Sequence, residues 1–190
     1  MIALGFRVKS GYAVAVAVRG PASAPSVVAR RVVELSDPQV AGTRQPFHHD
    51  LFTHETDPHA LDARVQIVKA SAKRAVAALL EDETFAKERC RSAALVVGSV
   101  IDPAHVGNPH IRAHASEGRL FREVLRDALE SHGVACDVVV EKELAAKAAA
   151  RLRCGDGEIR SVVARFGRQA GGPWRADEKA ASTAAWMMLR

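Results

Sequence analysis

Ile2-Ala3-Leu4-Gly5-Phe6-Arg7-Val8-Lys9-Ser10-Gly11-Tyr12-Ala13-Val14-Ala15-Val16-Ala17-Val18-Arg19 is the stretch on which the fold turns. Residues 1–8 and 12–19 are apolar runs rich in Val and Ala, and Lys9-Ser10-Gly11 between them is a tight turn. Two such runs around a short glycine-containing turn read as a β-hairpin. Gly20-Pro21-Ala22-Ser23-Ala24-Pro25 makes a second turn, and Val27 to Leu35 reads as a third strand. Three antiparallel strands therefore open the chain.

Residues 37–59 hold Pro38, Gly42, Pro46 and Pro58 without periodicity and read as an irregular segment. From Ala60 to Leu80, Leu61, Val65, Val68, Ala72, Val76 and Leu79 recur at helical spacing, with Asp57 placed to cap the start. Ala93 to Val100 is a continuous apolar run, the pattern of a strand buried on both faces. Ser116 to His132 reads as an amphipathic helix stopped by Gly133, and Val134 to Val140 as a fifth strand. Glu141 to Arg153 is alanine-rich and helical, and Gly155-Asp156-Gly157 breaks it. Ser161 to Phe166 fits a short helix or a strand, and Arg175 to Leu189 a closing helix entered through Pro173. The order β-β-β-α-β-α-β-α-α predicts an α/β fold: one domain over residues 1–190, a mixed sheet of five strands with helices on its faces.

The composition agrees with a folded domain: 48% of the 190 residues are hydrophobic and 26% charged. No apolar run approaches the roughly 20 residues of a membrane-spanning helix. Met1 to Arg7 has no signal-peptide pattern, so the expected location is the cytoplasm. Cys90, Cys136 and Cys154 form no CxxC pair, and they are expected to be reduced, with Cys136 buried in a strand. A net charge of +5 suits an anionic partner such as nucleic acid, although basic and acidic residues are interspersed almost everywhere.

Ile2-Ala3-Leu4-Gly5-Phe6 followed by Ser10-Gly11-Tyr12-Ala13-Val14 resembles the first hairpin of the bacterial Holliday-junction resolvases, members of the ribonuclease-H-like superfamily. Gly107-Asn108-Pro109 to Arg119 resembles the approach to their central helix, and Arg175-Ala176-Asp177-Glu178-Lys179 the start of a late one. The resemblance implies the ribonuclease-H-like fold and, for an active member, carboxylates holding two divalent cations. Such a site needs several hard oxygen ligands around one point. Here Arg7 stands where the family carries its first-strand aspartate, and Gly98 where a glutamate ends the next central strand. The family's closing helix, with two further aspartates, would follow a segment after which this sequence ends at Arg190. Asp177 and Glu178 are the nearest substitutes, but adjacent helical residues point about 100° apart. A guanidinium at a metal position repels the cation, so the family's two-metal chemistry is expected to be absent.

Several constellations carry chemistry beside a plainer reading. Arg7, Lys9, Ser10 and Gly11 suit a phosphate or carboxylate, but they also make an ordinary solvated turn, which we prefer. His48, His49, Asp50, His54, Glu55, Asp57 and His59 are the densest metal-capable cluster. They match no specific zinc spacing and read first as a solvated polar loop. His110, His114 and Glu117 stand at i, i+4 and i+7, one face of a helix, with Arg112 and Arg119 nearby. That face fits anion recognition or acid–base work, and Gly118 inside it suggests close approach by a neighbour. Glu141 and Glu143 follow the fifth strand, where ligand crevices of open α/β sheets lie; either carboxylate can pair with Arg7 or simply begin a helix. Trp174 and Arg175 fit a base contact, whereas Trp186 is expected in the core.

Two functional classes follow. One is a catalytically degenerate domain that binds nucleic acid, with Arg7, Lys9, Ser10, Arg112, Arg119, Arg175 and Lys179 as candidate contacts. The other is a divergent nuclease or phosphoryl-transfer enzyme using Glu117, Glu141, Asp177 and His114. No cofactor is assigned, and Mg²⁺ or Mn²⁺ belongs only to the second class. Nucleic acid is the expected partner, a membrane is not, and a homodimer is compatible with either class.

Overall fold

In the computed structural model the described residues are 1–48, 55–86 and 88–189. Strands β1 (Ile2–Lys9), β2 (Tyr12–Arg19) and β3 (Ser26–Glu34) form the antiparallel meander. Gly11 makes the first turn with φ +85°, a value other residues rarely adopt. Helix α1 (Pro58–Glu81) and the short α2 (Glu83–Ala86) lead to β4 (Cys90–Val97). Then come α3 (Pro109–Ser131), β5 (Ala135–Val140), α4 (Leu144–Leu152), α5 (Asp156–Ala170) and α6 (Ala176–Met187). The sheet order is β3-β2-β1-β4-β5, with β4 parallel to both β1 and β5. This is the mixed five-stranded, ribonuclease-H-like topology expected from the element order. Among the described residues no helix is long and apolar enough to cross a membrane.

Period-two alternation sends β1 residues to two different cores. Ile2, Leu4, Phe6 and Val8 pack under α1 and α3 with Val68, Val76, Phe121 and Leu125. Ala3 faces the opposite layer with Val16, Val96 and the helices α4 to α6. Burying a side chain such as Phe6 or Phe121 is worth roughly 1.5–3 kcal/mol. Both central strands are thus covered on two sides, which is why they read as unbroken apolar runs.

Helix α6 lies directly on β1 because its contact face is Ala180, Ala181, Ala184 and Ala185 and because residue 5 has no side chain. A Cβ at Gly5 would overlap the Ala181 carbonyl and come within 2.5 Å of the Ala185 nitrogen. That approach sets where the N-terminus of α6 falls.

Three expectations need correction. Helix α3 starts at Pro109, not near residue 116, because Asn108 caps it by accepting the Ile111 N–H at 3.1 Å. The segment around Ser161 is no short element but the middle of the 15-residue α5. Cys136 lies in β5 as expected but is only half-buried, and the buried thiol is Cys90.

Candidate functional site

The carboxyl ends of the parallel strands β1, β4 and β5 converge beside the N-termini of α3 and α6. Arg7, near the end of β1, is buried at 6% exposure. Its Nη1 donates to the Val8 carbonyl at 3.0 Å and more distantly to Val96, and its Nη2 donates to Glu141 Oε2 at 2.5 Å. Glu141 follows directly from β5, so two strands position this pair. Asp177, in the first turn of α6, places Oδ1 3.8 Å from Arg7 Nε and 3.1 Å from Lys9 Nζ. Its neighbour Glu178 points elsewhere: it accepts from Arg30 at 2.8 Å and from the Arg175 N–H at 2.9 Å, closing the first turn of the helix. The angular separation expected for adjacent helical residues is therefore realised.

Glu141 and Asp177 are two carboxylates at one point, the beginning of a divalent-cation site. The residues present do not fit that site. A buried guanidinium occupies the space between the acids, and Lys9 adds a second positive charge. Arg7 and Lys9 balance Glu141 and Asp177, leaving no excess negative charge to hold Mg²⁺.

A cleft of about 300 Å³ opens from this cluster toward α3, lined by Arg7, Lys9, Ser10, Gly98, His114 and Gly118 among others. A Cβ added at Gly118 would meet nothing within 4 Å, so this glycine does not mark close approach by the sheet; its missing side chain widens the cleft. Lys179 lies with Glu141 on a neighbouring groove of about 480 Å³ between α4, α5 and α6. Arg112 has no ion-pair partner among the described residues, whereas Arg119 is paired with Glu123 at 2.9 Å and lies 3.8 Å from Asp102.

Glu117 does not join Glu141 and Asp177. It is wholly buried under α3, where Oε1 accepts from His48 Nδ1 at 2.7 Å. Its Oε2 lies 3.7 Å from His114 Nδ1, and His114 Nε2 is 3.2 Å from His110 Nε2. Burial pushes the Glu117 carboxyl up from its ordinary range, opposed by the His48 hydrogen bond. The His114 pKa is lowered, first by desolvation and then by His48 and His110. Expectation and structure part here, since His48 is not solvated.

The loop is held by Arg64 of α1, which donates to the Pro46 and His48 carbonyls and pairs with Glu55 at 2.9 Å. Glu55 is buried, Asp57 caps α1, and His59 is exposed on it. His49, Asp50 and His54 lie outside the described residues. The i, i+4, i+7 pattern on α3 was visible in the sequence, but that His48 completes it was not. The burial of Glu117, which calls for such a partner, is visible only in the fold.

The two tryptophans differ in exposure, Trp174 being half-buried and Trp186 in the core. Trp186 is buried and donates to the Ala22 carbonyl at 2.8 Å, and Trp174 packs against Gly167 of α5.

The strand order and flanking helices are those of the ribonuclease-H-like fold. Two solved structures share its course: RuvC of Thermus thermophilus in complex with Holliday junction substrate, and a second structure of T. thermophilus RuvC. The first is 13% identical, with a TM-score of 0.58, over 98% of this chain and 91% of that one. The second is 12% identical, with a TM-score of 0.57, over 98% and 92%. No protein-family model and no curated protein matches the sequence. The likeness is one of fold, and the site must speak for itself.

Proposed function

We propose that this chain is a catalytically degenerate ribonuclease-H-like domain that binds nucleic acid. The observation that carries the reading is Arg7, buried between Glu141 and Asp177 where a divalent cation would otherwise be held. A fixed guanidinium neutralises the acids permanently, removing the repulsion they would present to a phosphate backbone without supplying the metal that cleaves it. Being buried, Arg7 is a poor direct contact. Lys9, Ser10 and Lys179 are accessible groups lining the two clefts, and Arg112, in the first turn of α3, is a further half-exposed cation. The fold shared with a RuvC solved in complex with Holliday junction substrate and the net charge of +5 support the same reading.

The competing reading, a divergent nuclease or phosphoryl-transfer enzyme, is favoured by the meeting of Glu141 and Asp177. Among the described residues no third carboxylate joins them there, since Glu117 belongs with His114 to the histidine cluster. The deciding experiment measures anisotropy of labelled four-way junction, duplex and single-stranded DNA and RNA across a salt series, with and without Mg²⁺ or Mn²⁺, followed by gels. Structure-selective, salt-sensitive binding without cleavage is expected. Replacing Lys9 or Arg112 by Ala should reduce the log–log salt slope by about 0.9 per lost phosphate contact on duplex. Metal-dependent cleavage would install the enzyme reading, and no binding at low salt would remove nucleic acid as the partner.

A further inference from the structure

His48, His110 and His114 are brought together from two distant parts of the chain, the loop before α1 and the first turns of α3. One ring nitrogen of each lies within 4.8 Å of those of the other two. The ring centroids are 4.5, 4.6 and 5.3 Å apart. Tetrahedral zinc with Zn–N bonds of about 2.0–2.1 Å sets its ligand nitrogens about 3.3 Å apart. The His110 Nε2 to His114 Nε2 distance is 3.2 Å, so two of the three ligands already have that spacing.

The tautomer of His48 follows from its neighbour. With Glu117 ionised it accepts from Nδ1, which puts the proton on that nitrogen and the lone pair on Nε2. His48 Nε2 is buried and has no hydrogen-bond partner among the described residues, and the His48 side chain is 6% exposed. A buried lone pair without a donor is costly. Glu117 Oε2 and His110 Nδ1 are likewise buried without hydrogen-bond partners. A cation bound among the rings would take up the buried His48 Nε2 lone pair and set a positive charge beside the wholly buried Glu117 carboxylate.

We infer that His48, His110 and His114 form a binding site for a divalent transition metal of the zinc class, with Glu117 as the positioning carboxylate behind His48. Imidazole nitrogen selects this class over Mg²⁺ or Ca²⁺, which take oxygen ligands. Carboxylate, imidazole and metal in series is a common way to fix a ligand's tautomer and ring angle. Three protein ligands leave a coordination position open, and His114, half-exposed, lines the cleft that also holds Lys9 and Ser10. The inference does not depend on nucleic-acid binding, and it is separate from the carboxylate site that Arg7 disables.

The test uses the full chain, freed of metal by chelation and dialysed, with Zn²⁺ as titrant and Co²⁺ as a spectroscopic probe. One equivalent of Zn²⁺ should bind by calorimetry, and Co²⁺ should give the visible absorption of a four- or five-coordinate site. His114→Ala, at a half-exposed position, and His110→Ala should each weaken Zn²⁺ at least 100-fold and abolish the cobalt spectrum. Glu117→Gln should weaken it about 10–100-fold while the stoichiometry stays at one. Circular dichroism of each variant checks that the fold is retained. Failure of the wild-type chain to hold Zn²⁺ at micromolar concentration would overturn the site. So would unchanged binding in folded His114→Ala and His110→Ala, which would place the metal on other residues.

Discussion

Arg7 Nη2 donates to Glu141 Oε2 at 2.5 Å, joining the end of β1 to the residue that follows β5 across the intervening strand β4. The arginine is buried and its partner half-exposed, which makes the pair asymmetric. Removing the acid leaves Arg7 with strand carbonyls and Asp177, whereas removing the arginine leaves Glu141 and Asp177 facing each other near Lys9. Breaking a buried pair costs up to about 3–5 kcal/mol, and the exposure of Glu141 lowers the figure here. Arg7→Met is therefore expected to cost about 2 kcal/mol and Glu141→Gln about 1 kcal/mol. Chemical denaturation of both variants and of the double mutant checks this, and a coupling energy near zero would show the pair to be energetically idle.

The close seat of α6 on β1 gives a second expectation. A methyl at Gly5 meets the backbone of Ala181 and Ala185, not a side chain that could rotate away. Overpacking of this kind typically costs about 1–3 kcal/mol, and a clash with two backbone atoms belongs at the upper end. Gly5→Ala should lower the thermal midpoint by several degrees. It should also loosen the Asp177 contact with Lys9, because the start of α6 must move. Thermal unfolding measures the first effect, and NMR titration of the Asp177 carboxyl the second.

Gly118 is the opposite case. Open space surrounds it on an exposed helix face, so Gly118→Ala should stabilise the protein by about 0.5–1 kcal/mol through helix propensity. A large side chain there would fill the cleft between His114 and Ser10. Gly118→Leu is expected to keep the midpoint at or above wild type while weakening nucleic-acid binding several-fold. Unfolding curves and anisotropy, read side by side, separate those effects. Unchanged affinity would move the binding surface off this cleft.

The thiols supply a pH-dependent test. Burial, then the charge of Glu130, pushes the Cys136 thiol up to about 12 from an ordinary value of 9.0. Burial also raises Cys90. A raised folded-state pKa means that the native state keeps its proton where the unfolded chain loses it. The resulting stability is fully present below pH 9 and is lost as pH climbs toward 12. Cys136→Ala should flatten that alkaline decline. At pH 8 a thiol reagent should modify buried Cys90 only at the rate at which the chain opens, which a denaturant-dependence series reads directly, and half-buried Cys136 faster than that.

The fold was readable where burial imposes a period. The hairpin at Lys9-Ser10-Gly11, the unbroken apolar run of β4 and the amphipathic face of α3 each carry a local signature that survives folding. Boundaries were less visible: Pro109 reads as a breaker until Asn108 is seen to cap the helix it starts. Helix α5 was hidden by Gly155 and Gly157, which stand at its entrance and not past its end. The crevice was half visible. Arg7 beside Glu141 followed from strand ends meeting in one sheet, a consequence of topology. His48 reaching Glu117 goes with the Arg64 bonds to the Pro46 and His48 carbonyls, and no periodicity encodes such contacts.

Placing an acid at position 7 is the sharpest test of what Arg7 does. Arg7→Asp would set three carboxylates, the new one with Glu141 and Asp177, around the point that the guanidinium now fills. Without metal the three repel one another and the variant should be less stable than Arg7→Met, which lacks the third charge. Mg²⁺ is the discriminating ion, because oxygen ligands bind it and the imidazoles of the histidine cluster do not. A ligand that binds only the native state stabilises it by about 2.7 kcal/mol at a hundredfold excess over its Kd. Thermal midpoints of Arg7→Asp should therefore climb with Mg²⁺, while those of wild type and Arg7→Met stay flat. If the Arg7→Asp midpoint also stays flat, Glu141 and Asp177 are held in place by Arg7 itself and do not outline a cation site.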